Sequence, residues 1–146
     1  MMSDGQHHRI CLWGMPGVGK STIGAVLAQS LGIDHFDLDD ALEKAYGQSI
    51  VELIEKRGEP GFRALEEEAV KSFALNGNGV ISIGGGTLLP PKLRAEVRKS
   101  CTVVTLWTSP AVLASRLKGE ERSKRHLLDP MRPLSVPHKL GSYFLL

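Results

Sequence analysis

Gly14-Met15-Pro16-Gly17-Val18-Gly19-Lys20-Ser21 matches the pattern G-x-x-x-x-G-K-S/T at every defined position. Just before it, Arg9 to Trp13 (RICLW) is a short apolar run that predicts a strand. Just after it, Lys20 to Leu31 predicts a helix with Ile23, Leu27 and Leu31 on one face, and Gly32 is placed to end it. Strand, glycine-rich turn and helix in that order make a cradle for phosphate. The glycines let main-chain N–H groups turn inward, and the helix adds the positive end of its dipole. Gly17, Val18, Gly19, Lys20, Ser21 and Thr22 are therefore the candidate nucleotide-binding residues. Lys20 is expected to reach the β- and γ-phosphates of ATP, and the Ser21 hydroxyl to hold Mg2+. The alternative, a turn that merely joins strand to helix, is set aside because the match is complete and its context right.

Outward from this loop, short β-branched runs alternate with longer amphipathic stretches, the pattern of an α/β fold with a parallel sheet. His35 to Asp39, Val80 to Ile83 and Thr102 to Trp107 predict three further strands, the last apolar enough to be buried on both faces. A short helix is predicted at Ile50 to Arg57, closed by Gly58. A longer one follows at Phe62 to Leu75, with Phe62, Leu65, Ala69 and Phe73 inward and Glu66, Glu67 and Lys71 outward. Two more are predicted at Pro90 to Lys99 and from Pro110 to about Lys118, the latter capped by Ser109.

The chain of 146 residues is read as one domain. Residues 1–8, with His7 and His8, read as a flexible tail, 119–135 as a charged, proline-broken, lid-like loop, and 136–146 as an atypical tail. A net charge of +2 is too small to point to nucleic acid or a membrane surface. No apolar run approaches the roughly 18 residues of a membrane span, and no leader is evident, so a cytoplasmic protein is expected. Cys11 and Cys101 lie in apolar runs and read as buried, reduced and structural.

Three further segments carry chemistry. Asp37-Leu38-Asp39-Asp40 comes at the end of the second strand, and strand ends are where parallel sheets bind ligands. Strand alternation puts Asp37 and Asp39 on one side, suited to steadying a hydrated Mg2+ and to binding or deprotonating a hydroxyl, while Asp40 is expected to cap the next helix. Arg63, in GEPGFRALEEE, is either a bidentate reader of a carboxylate or a partner of Glu66 or Glu67 at helical spacing. Gly84-Gly85-Gly86 ends the third strand with no side chains in the way of a ligand, or is only a flexible connector.

In this order, GMPGVGKST (Gly14 to Thr22), FDLDD (Phe36 to Asp40), GEPGFRALEEE (Gly58 to Glu68) and ISIGGGT (Ile81 to Thr87) resemble the shikimate kinase family, from about residue 9 to residue 118. The resemblance implies a three-layer α/β/α P-loop kinase fold with a parallel sheet of order 2-3-1-4(-5). It implies phosphoryl transfer from ATP to the 3-hydroxyl of shikimate, with Mg2+, in aromatic amino-acid biosynthesis. By carry-over, Lys20 holds the phosphates, Ser21 holds Mg2+, and Asp37 supports the metal through water. Asp39 contacts the substrate hydroxyls and serves as base, and Arg63 grips the carboxylate. Gly84, Gly85 and Gly86 line the substrate, with Gly85 donating its main-chain N–H. Arg116 resembles the residue that stacks on adenine, and the lid arginine is Arg125 or Arg132.

The match ends early. No arginine follows Arg132, so the family's second carboxylate-gripping arginine has no counterpart, and the fifth strand is expected to be missing or replaced. A monomer is expected, with Val103 to Trp107 an apolar edge open to self-association. The short end is read as a truncated or frame-altered product or a natural short variant. It leaves two other functions open: a non-catalytic ATP-binding module, and a kinase for another small hydroxy acid.

Overall fold

A computed structural model describes residues 8–116. Its strands are β1 (Arg9–Trp13), β2 (His35–Asp37), β3 (Gly79–Ile83) and β4 (Thr102–Thr105). They form one parallel sheet of order β2-β3-β1-β4, as the resemblance implies. Trp13 pairs with Ile83 on one side and Thr105 on the other, and Asp37 pairs with Ser82, so the strand ends before each functional loop finish nearly level. The helices are α1 (Lys20–Leu31), α2 (Leu38–Tyr46), α3 (Ile50–Asn76), α4 (Pro91–Ser100) and α5 (Pro110–Arg116).

Strand alternation sorts the core into two layers. Cys11, Trp13, Ile81 and Ile83 face α3 and α4, meeting Phe62, Leu65, Val70, Leu93 and Val97. Leu12 and Val80 face α1 and meet Ala28 and Leu27. Helices thus cover both faces of the sheet. No helix among the described residues is long and apolar enough to cross a membrane.

Several sequence expectations change. The buried stripe of α1 is Lys20, Gly24 and Ala28, while Ile23 and Leu31 are exposed. The ring of His35 lies where a side chain at Gly24 would be, so α1 packs on the sheet through its small residues. β2 stops at Asp37 because α2 begins at Leu38, a helix absent from the sequence reading. Asp37, not Asp40, is its N-cap, accepting from the Asp39 and Asp40 N–H groups. Consequently Asp39 sits in the first turn of α2, not beside Asp37 along the strand. The division at Gly58 holds: α3 is interrupted there by a backbone at φ 72°. β4 is shorter than expected and is not buried on both faces. Only Val103 packs into the main core, whereas Val104 is exposed because α1 lies over β3, β2 and β1. The main chain of His8 is tied to Asn78 and Gly79, so it belongs to the sheet end and not to a loose tail. Cys11 and Cys101 are buried free thiols, as expected. The tails, the lid-like loop, Arg125, Arg132 and any fifth strand lie outside the described residues.

Candidate active site

The phosphate loop joins β1 to α1, and Gly17 and Gly19 both take positive φ, at 81° and 102°. L side chains resist that region, which explains glycine at these two positions. Lys20 is buried, and its ammonium donates to the carbonyls of Gly14 (2.6 Å) and Met15 (3.0 Å). The cation is therefore held across the mouth of its own loop. Val18 anchors the loop from outside by packing on Leu113 of α5. From the end of α5, Arg116 donates to the Gly17 carbonyl at 3.0 Å, which places it at the loop's outer rim.

Ser21 and Thr22 open α1, and the Ser21 hydroxyl donates to Asp37 Oδ2 at 3.1 Å. The other oxygen of Asp37 accepts from Asp39 N at 3.0 Å and Asp40 N at 3.3 Å. One carboxylate thus caps α2 and faces the phosphate loop. Asp39 is half-buried one turn further on. Asp40 titrates above the usual aspartate range because burial and then the negative charges of Asp37 and Glu43 oppose its ionisation, His35 acting the other way.

Behind the loop runs a relay that the sequence reading missed. The Ser82 hydroxyl donates to the Lys20 carbonyl at 3.2 Å and lies 2.9 Å from His35 Nε2. A serine has one O–H, so with that hydrogen on Lys20 the imidazole must donate from Nε2. β2, β3 and the first turn of α1 are pinned together this way.

The third cluster lies at the end of β3. Arg63 pairs with Glu66, whose other oxygen accepts from the Thr87 hydroxyl at 3.0 Å. Glu66 is only 2% exposed, so the expectation that it faces outward is corrected. It is a buried carboxylate satisfied by a cation and a hydroxyl, the arrangement such burial requires. The three glycines face three partners. A methyl on Gly84 would approach Thr87 and Glu66, one on Gly85 would meet Met15 Sδ, and one on Gly86 would meet the Arg63 guanidinium. The Trp13 indole N–H donates to the Gly85 carbonyl at 3.1 Å in a buried contact. The structure therefore brings Lys20, Ser21, Asp37, Asp39, Arg63 and Gly84 to Gly86 to one end of the sheet, with Arg116 at the rim.

A glycine-rich loop of this form on a parallel sheet with helices on both faces is the architecture of the P-loop α/β class. The chain belongs to the shikimate kinase family, whose profile matches residues 16–139. Among curated relatives, it is 47% identical over 100 residues to the shikimate kinase of Rhodococcus jostii, a match covering 68% of this chain and 59% of that one. It is 42% identical over 118 residues to that of Geobacter sulfurreducens, covering 81% and 64% respectively. The chain thus spans about three fifths of the length of these relatives. Among solved structures, the shikimate kinase of Acinetobacter baumannii in complex with shikimate superposes with a TM-score of 0.83 at 28% identity, over 94% of this chain and 79% of that one.

Proposed function

We propose that this chain binds ATP with Mg2+ and transfers the terminal phosphoryl group to the 3-hydroxyl of shikimate. The observation that carries the reading is one sheet end holding both a phosphate loop and, at the end of β3, a cation over a glycine run. The first suits a triphosphate and the second a small carboxylic acid.

In this reading the main-chain N–H groups of Gly17 to Ser21 hold phosphate oxygens, and Lys20 stabilises charge on the transferring group. The pair Ser21 and Asp37, with oxygens 3.1 Å apart, supplies hard donors. These fit Mg2+, which takes one or two protein oxygens and fills its shell with phosphate and water. When bound, the cation neutralises charge between the phosphates. Arg63, oriented by Glu66, grips the carboxylate of the acid. Asp39 accepts the proton of the attacking hydroxyl as the new P–O bond forms and ADP leaves with the electrons of the old one. Arg116 packs on the adenine. Arg125 or Arg132 would close over the phosphates.

A coupled ADP-release assay with and without shikimate tests the proposal. Shikimate-dependent turnover is expected. ATP binding with no response to shikimate would overturn it in favour of a nucleotide-binding module, and a response to a different hydroxy acid alone would reassign the acceptor.

A further inference from the structure

The run Gly84-Gly85-Gly86 has no side chains with which to hold its own shape, yet a loop that reads a carboxylate needs fixed N–H directions. We infer that Trp13 is the positioning residue that sets this loop, through its indole N–H on the Gly85 carbonyl. The inference rests on reading Arg63 and the glycine run as the acid site.

An indole is a donor only, so the direction of the 3.1 Å bond is fixed without choice of tautomer. The described chain contains no cis peptide. In a planar trans peptide the carbonyl and the next N–H point opposite ways. With the Gly85 carbonyl turned toward Trp13, the Gly86 N–H is turned away from the indole. Gly86 is also the residue over which the Arg63 guanidinium lies. The indole therefore sets the tilt of the peptide beside the carboxylate-binding cation.

Trp13 is itself well fixed. It is 7% exposed, its main chain pairs with Ile83 and Thr105, and its carbonyl accepts from Leu106 N at 2.7 Å. It also directly precedes Gly14, whose carbonyl holds the Lys20 ammonium at 2.6 Å. The space a Gly85 side chain would need is taken by Met15 Sδ, on the same phosphate loop. One residue at the end of β1 thus registers the acid loop against the nucleotide loop. Its contact is 72 positions away in sequence.

The test is Trp13→Phe, which keeps a ring and removes the donor, with Trp107→Phe in parallel as a control. Losing one buried hydrogen bond should raise KM for shikimate roughly five- to tenfold. KM for ATP and the affinity for ADP should stay within about twofold, a split that general loosening of the core would not produce. Retained ADP binding also reports that Trp13→Phe folds. If it does not, the indole N–H resonance of Trp13 in Trp107→Phe decides: it should shift when shikimate saturates the protein. An unchanged KM for shikimate in Trp13→Phe, equal rises in both KM values, or a resonance indifferent to bound shikimate overturns the inference alone. Absence of any shikimate binding by the unaltered protein overturns the functional reading and this inference with it.

Discussion

Replacing Gly86 by alanine should damage recognition of the acid while sparing the nucleotide. A methyl there would lie 2.5 Å from Arg63 Nη2, 2.7 Å from Cζ and 2.8 Å from Nη1. Favourable separations for such atoms start near 3.5 Å, so the guanidinium must retreat by about 1 Å. It can do so because it ends a long side chain, and the backbone at Gly86 is not at positive φ. The retreat disrupts the pair with Glu66, leaving that carboxylate to the Thr87 hydroxyl in its 2% exposed site. A hydrogen bond to a charged group contributes about 1.5–3 kcal/mol, which sets the expected loss of acid binding. At 1.4 kcal/mol per factor of ten, KM for shikimate should rise about 10- to 150-fold, with KM for ATP unchanged. ADP release measured with each substrate varied in turn gives both values. In an Arg63→Ala background the same glycine change should add nothing further, because there is no guanidinium left to displace. A KM for shikimate within about twofold of the unaltered protein, or full additivity of the two changes, would refute the reasoning.

Three other outcomes follow from the geometry. Lys20→Ala should lower turnover by at least about 100- to 1,000-fold, since no second cation is carried by that loop; turnover above a tenth of the unaltered rate would displace Lys20 from the site. Gly24→Ala should cost about 1–3 kcal/mol, because its methyl runs into the His35 imidazole, and His35→Ala should relieve most of that cost. Thermal melts of the single and double variants check this, and equal costs in both backgrounds would contradict it. Asp40 holds its proton more tightly folded than unfolded, so it subtracts stability as pH rises through the window above the ordinary aspartate value. Asp40→Asn should therefore raise Tm near about pH 7 and leave it unchanged near about pH 3, and the opposite order would show that the helix N-terminus favours the charge.

The elements legible in the sequence are those whose signals are local. The phosphate loop, β1, the bounds of α1 with Gly32 and the break at Gly58 are each encoded within a few residues, largely by glycine positions, although the apolar stripe read for α1 is not the face it buries. α2 escaped notice because LDDALEKAY is short, largely polar and capped by a residue that also reads as the end of a strand. Likewise, Glu66 was expected to face outward with Glu67. Its spacing of four residues from both Phe62 and Val70 was the one local signal that set it apart from Glu67.

Sequence alone determined which groups the protein carries: a complete phosphate-binding motif, a pair of carboxylates after the second strand, an arginine and a run of glycines. Tertiary structure decided which of them act together and on what terms. The Thr87 hydroxyl meets Glu66 across 21 positions, Ser82 reaches the Lys20 carbonyl across 62, and Trp13 reaches Gly85 across 72. Burial and hydrogen-bond partners at such separations depend on how parallel strands are ordered and on which helix covers each face. Those are properties of the assembled sheet, and no local window of residues contains them.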